Sequence, residues 1–279
     1  MVEKIPGINM KIDFNTQEEE IKIKRLDNNI QLDESKNDLS VIFCNMITTS
    51  ISPEGGDLVR LNLKLCYIND KGNFSKIRKT ISFFQDPERN LEDEELKFLD
   101  FDLNEIKGKQ VDWNLVENLF SQADVIISHN SSFTRPWVRK YINDDENIWA
   151  CTLENVDWNS LDFPSRNLEV ISVFSGFFYD FSSSQSSLDA AISCLYLNHQ
   201  ISSILKKSLK PDLQLYAANA PIEYKDNLKQ NGYRWNPELK CWWKPIDLEN
   251  SKKESEWLSN NIPSVDPQVF EVDPKFRFI

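Results

Sequence analysis

The run Leu39-Ser-Val-Ile-Phe-Cys-Asn-Met46 is apolar and β-rich, which marks a strand buried at the centre of a sheet. A strand of that kind limits the chain to folds whose sheet is covered on both faces. Residues 59–67 then alternate strictly, with Val59, Leu61, Leu63, Leu65 and Tyr67 set against Arg60, Asn62, Lys64 and Cys66. Asn69-Asp-Lys-Gly-Asn73 is turn chemistry and Lys76–Phe84 returns as a strand, so this stretch reads as a hairpin. Further on, Trp113, Leu115, Val116, Leu119 and Phe120 have helical spacing. A short strand at Asp124–Ser128, a helix at Ser131–Ile142, a strand at Ile148–Leu153, a helix from Asn167 and a long helix over 187–205 follow. Strands first, then alternating helix and strand, predict an α/β fold: a mixed sheet flanked by helices.

Charge divides the chain. Of 32 Lys+Arg and 44 Asp+Glu, residues 201–279 hold 12 and 11, so the first 200 carry a net −13. The expected organisation is a polar extension over 1–38, a main domain over 39–205, a linker over 206–212 and a small α+β module over 213–279. Within that module, Pro221–Gln230 reads as a short helix and Gly232-Tyr-Arg-Trp235 as a strand. Asn236-Pro-Glu-Leu is a turn, Lys240–Ile246 the return strand and Glu249–Asn260 a last helix.

A net charge of −12 argues against affinity gained by coating phosphates with basic side chains. Five scattered cysteines give neither a disulfide framework nor a zinc site, and point to a reducing, cytoplasmic setting. With His129 and His199 as the two histidines, mechanisms needing several imidazoles are excluded. Met1-Val-Glu-Lys-Ile-Pro has no apolar core of a secretory signal, which leaves export into a host by a signal-less route as an open alternative. No run approaches the ~18 apolar residues of a membrane span, so no membrane partner is expected.

Three segments carry a resemblance. Val41-Ile-Phe-Cys-Asn-Met-Ile-Thr-Thr-Ser-Ile51 is similar to the first motif of the DEDD 3′–5′ exonucleases related to the epsilon subunit of DNA polymerase III, a strand running into Asp-x-Glu-Thr-Thr-Gly-Leu. Ile127-Ser-His-Asn-Ser-Ser-Phe-Thr-Arg-Pro-Trp137 resembles the second, His-Asn-Ala-x-Phe-Asp-Arg-Pro-Phe. Gln185-Ser-Ser-Leu-Asp-Ala-Ala191 resembles the third, His-x-Ala-Leu-x-Asp-Ala. Tyr233-Arg-Trp-Asn-Pro237 with Cys241-Trp-Trp243 looks like a C-terminal module of bacterial members. The resemblance implies a ribonuclease H-like fold with a mixed five-stranded sheet. It also implies four carboxylates holding two Mg or Mn ions, because two-metal hydrolysis needs hard oxygen ligands, and a histidine as general base.

Those residues are what this chain lacks. The register places Asn45 and Ile47 at the first Asp and Glu, Thr134 at the second-motif Asp, Gln185 at the histidine and Ala190 at the last Asp; a shift of one puts Asp189 there instead. Such a set should hold no catalytic metal and need no cofactor. Thr49, His129, Asn130, Phe133 and Asp189 would line a vestigial cleft, with His129 and Asn130 read more simply as helix caps. Arg234, Lys240, Trp242, Trp243 and Lys244 interleave aromatic and basic groups as a single-strand stacking platform does, although a small module also needs aromatics for its core. Three functions are expected in this order: a pseudo-nuclease working through a protein partner, a non-cleaving single-stranded nucleic-acid binder, and an active exonuclease with ligands relocated to Asp180 or Asp189.

Overall fold

A computed structural model describes residues 24–25, 30–33, 38–96, 99, 101–178, 184–237 and 239–278. The chain divides into two units, Met1–Ser208 with Phe278–Ile279, and Leu209–Arg277.

At the centre of the larger unit lies β1 (Leu39–Thr48), paired antiparallel with β2 (Leu58–Ile68) through ten residues and a register shift at Ile47/Thr48. β3 (Phe74–Ile77) and β4 (Ile81–Phe84) share the outer edge of β2, where one continuous strand was expected. The edge is interrupted between the Cys66–Ile77 and Leu63–Ile81 pairs, where three residues of the outer chain face two of β2, and Arg78 there still donates its N–H to Leu65 O. On the other side, β5 (Val125–Ser128) runs parallel to β1, and β6 (Trp149–Cys151) parallel to β5. Among the described residues six strands in five pairings thus make a mixed sheet, where the resemblance implied five strands.

Successive side chains of β1 enter different cores, as the pleat requires. Val41 and Phe43 pack with Ile171 of α3 (Leu168–Phe174), Leu188 and Leu195 of α4 (Ser184–Leu197) and Ile204 of α5 (Ile201–Ser208). Ile42 and Cys44 pack with Val116 and Phe120 of α1 (Trp113–Ser121) and Trp137 and Val138 of α2 (Ser131–Arg139). Helices therefore cover both faces, which explains why the β1 sequence is apolar without alternation. The single helix expected over 187–205 is two. His199 adopts a left-handed φ of 55°, ends α4, and redirects the chain into α5. Of the extension over 1–38 most lies outside the described residues; Lys24–Arg25 pairs parallel with Phe177–Phe178.

The smaller unit has a four-stranded antiparallel sheet in the order β8 (Arg234–Asn236), β9 (Cys241–Ile246), β7 (Asp212–Ala218), β10 (Asp266–Val272). The hairpin β8–β9 was expected; its neighbours β7 and β10 were not. The stretch 206–212 read as a linker ends α5 and begins β7. α6 (Lys225–Gln230) and α7 (Leu248–Asn261) supply Leu228 and Leu258 to a core with Leu215, Ala217, Tyr233 and Trp242. Among the described residues no helix is long and apolar enough to cross a membrane.

Candidate functional site

The motif residues converge at the carboxyl ends of β1 and β5, where ligands of open α/β sheets commonly sit. Asn45 lies half-buried on the β1 face covered by α4, and its amide donates to Ser187 Oγ on that helix at 2.5 Å. Across the sheet, Asn45 faces Asn62 of β2, which faces Ser82 of β4; Ser82 Oγ donates to the wholly buried Asn62 Oδ1 at 2.7 Å. The next row is Ile47, Arg60 and Phe84, with the Arg60 guanidinium 4.8 Å from the Phe84 ring and 5.6 Å from that of Phe101. One pair in the other direction, Lys64 faces Phe43, and its ammonium lies 2.5 Å from Asp189 Oδ1 on α4.

The third motif differs from the expected register. Ala190 is 1% exposed and belongs to the apolar core, whereas Asp189 turns to the polar rows of the sheet. Helical geometry decides this, because Leu188, Ala190, Ala191, Ile192, Cys194 and Leu195 bury a broad arc of α4 and Asp189 falls outside it. Gln185 sits in the first turn of α4, where side chains lie outside the described part, and Asp180 lies outside the described residues.

In the second motif Asn130 caps α2, its side chain accepting from Phe133 N–H at 3.3 Å. Thr134 is buried and turns back on its own helix, donating to Asn130 O at 3.0 Å. Phe133 packs toward Trp137. His129 is not a cap: its Nδ1 pairs with Thr152 Oγ1 at 2.7 Å beyond β6. Burial pushes its imidazole down to about 4, so it is neutral at pH 7. Thr49, at the end of β1, holds the loop that follows. It accepts from Asp57 N–H, and Arg89 sits beside it between Asp57 and Glu95. Arg89 and the Glu92 N–H hold the Glu95 carboxyl down at about 2.

Around Asn45, the charged side chains described on these rows are two cations, Arg60 and Lys64, and one carboxylate, Asp189. Among the described residues, no three His, Cys, Asp or Glu side chains come together as a metal-ligand group. The two-metal centre that the exonuclease resemblance implies does not fit this donor set: Ile47 has no donor atom, Thr134 is spent on its helix, and Asp189 already holds an ammonium.

Of the five smaller-unit residues expected to touch nucleic acid, two are taken up by packing. Trp242 is in the core, and Lys244 bridges Glu254 at 2.5 Å while lying 4.8 Å over the Tyr233 ring. Arg234 and Lys240 are exposed, and Trp243 is half-buried against Tyr216, which also meets Phe270 edge-on. Tyr216 and Phe270 escaped the sequence reading because their strands did. Lys64 and Arg60 escaped it because the polar half of an alternating strand reads as its solvent face.

No protein-family model matches the sequence, and no curated protein matches it. Solved structures do. Exonuclease I of E. coli in complex with a dT13 oligonucleotide superposes with a TM-score of 0.51 at 12% identity, over 85% of this chain and 64% of that one. The same enzyme with a 5cy-dT13 oligonucleotide gives 0.50 at 14% identity, over 86% and 64%. A product-bound exonuclease I gives 0.50 at 12% identity, again over 86% and 64%. The chain thus has the exonuclease I-like, mixed-sheet α/β fold and spans less than two thirds of the length of these structures.

Proposed function

We propose that this chain is a catalytically silent relative of the DEDD 3′–5′ exonucleases, epsilon-like in its motifs, that works by binding rather than cutting. The observation that carries the reading is the Asn45 amide bonded to Ser187, with the neighbouring Asp189 carboxylate held by Lys64. At the place where the motifs call for metal-binding acids, the side chains bond to one another. Hydrolysis by this fold depends on charge supplied to the phosphate and the attacking water, and a lone, ion-paired carboxylate supplies none. No cofactor is needed for binding alone. The net −13 of the first 200 residues disfavours a phosphate backbone and favours a protein partner in a cytoplasmic setting.

A second reading has its own observation. Trp243, Tyr216 and Phe270 stand together in the smaller sheet with Arg234 across the strand from Trp243, a combination suited to stacking unpaired bases. One experiment separates the readings. The purified chain is incubated with a 3′-labelled single-stranded oligonucleotide, with Mg²⁺ or Mn²⁺ and with chelator, while binding is followed by fluorescence anisotropy. No shortening and no anisotropy change is the expected result. Salt-sensitive binding without shortening moves the assignment to the nucleic-acid binder. Metal-dependent shortening abolished by Asp189→Asn overturns silence altogether.

A further inference from the structure

The Lys64–Asp189 pair has a property that a surface ion pair lacks. Lys64 is anchored on β2, one pair along from Asn45 and Asn62, and its side chain is only 12% exposed; Asp189 comes from α4 at 22%. Deeper along the same face lies Cys66, wholly buried, its thiol pushed up to about 12 chiefly by burial. The ammonium therefore sits between an apolar floor and the one carboxylate that, among the described residues, reaches these rows. It is tethered by its own backbone and cannot exchange as an ion does.

Resting on the reading that the metal-binding acids have been lost, we infer that Lys64 is the resident cation of this site, a residue that shuts out divalent metal independently of that loss. Two features make the effect separable. An ammonium at 2.5 Å satisfies Asp189 Oδ1 directly, so a divalent ion would have to displace it. A displaced Lys64 would have to place its charge near the incoming ion, or move it toward Arg60 two rows on, and like charges repel. Returning the acids while keeping Lys64 therefore leaves an inhibited site.

The test compares two variants of the whole chain, Asn45→Asp/Ile47→Glu and Asn45→Asp/Ile47→Glu/Lys64→Met, by Mn²⁺ calorimetry. Both keep Asp189, so both carry three carboxylates on neighbouring positions. The triple variant is expected to bind Mn²⁺ at least about tenfold more tightly than the double. Equal affinity in the two overturns the role of Lys64 while leaving the lost-acid reading intact. Binding in neither overturns both the role of Lys64 and the placement of the acids. Micromolar binding by the unaltered chain overturns the proposed function itself, and this inference with it. Should the double or triple variant fail to fold, Asn45→Asp and Asn45→Asp/Lys64→Met carry the same contrast in a melting experiment. A Mn²⁺-dependent rise in melting temperature is expected in the second alone; a rise in both, or in neither, overturns the inference.

Discussion

Two ion pairs in the larger unit share the same chemistry and differ in what surrounds them. Arg135 and Asp144 are both 0% exposed in their side chains, joined at 2.8 Å, with Trp149 Nε1 donating to the same carboxylate at 2.8 Å and Arg139 reaching its other oxygen at 2.9 Å. Lys64 and Asp189 meet at 2.5 Å over the middle of β2, each retaining some exposure. The first pair belongs to the Arg-Pro-Trp half of the second motif, the second to the positions where the motif acids are missing. On the function proposed above, a chain that keeps the groups holding a frame together and lacks those that would do chemistry keeps its fold without its reaction. Asn130 as a helix cap and Thr134 as a replaced acid, four residues apart, show the same division within one helix.

The sharpest way to break this comparison is to remove one carboxylate from each pair. Asp144→Ala leaves the Arg135 guanidinium buried without its carboxylate, and such deletions cost about 3–5 kcal/mol. Burial already pulls the Arg135 guanidinium below its ordinary value, a sign of how much it depends on Asp144. Asp189→Ala leaves Lys64 able to reach solvent and should cost about 1 kcal/mol or less. Urea denaturation of both variants measures the difference. Equal losses would end the distinction between frame and site.

What could be read in the sequence follows the same line. Leu39–Met46 declared itself because a strand covered on both faces must be apolar throughout. Asn130 was recognisable as a residue type that caps a helix before Ser131, and the Arg135-Pro-Trp segment through its resemblance to the second exonuclease motif. β7 was missed because Leu213, Leu215 and Ala217 alternate over too few residues to stand out, and β10 because Pro267 and mostly exposed neighbours hide its pattern. Lys64 and Asp189 are 125 positions apart, so no local pattern joins them. The sequence register of the third motif went to Ala190 for a similar reason, since only the packing of α4 shows which of two adjacent residues faces the sheet.

His129 sharpens the comparison by asking to which side it belongs. It stands in the second motif beside Asn130, yet its bond to Thr152 and its depressed pKa of about 4 place it with the frame. Above about pH 6.5 a free imidazole is neutral, so the folded and unfolded chains bind the same protons at this position. As pH falls from there toward 4, the unfolded chain takes up a proton that the folded chain refuses. Stability should therefore decline across that window, by on the order of 2 kcal/mol, and level off below it. His129→Gln should flatten the decline when denaturation midpoints are compared at pH 7, 5.5 and 4. A decline of unchanged size in the variant would return His129 to the solvated side.

The smallest expected effect concerns what each pair contributes as a whole. Replacing both partners together removes the charge and its desolvation cost at once, so the result reports the net value of the pair rather than the penalty of an orphan. For Lys64→Met/Asp189→Leu that value should lie within about 1 kcal/mol of zero, and its sign should favour the variant, because the apolar floor at Cys66 extends beneath both positions. Added salt supplies the control. At 1 M, where screening acts over about 3 Å, the unaltered chain should lose whatever small advantage this partly exposed pair gives, while the wholly buried Arg135–Asp144 pair should keep its own. A double variant much less stable than the parent at every salt concentration would mean that Lys64 and Asp189 are frame after all, held by the same kind of interaction as the Arg135–Asp144 pair.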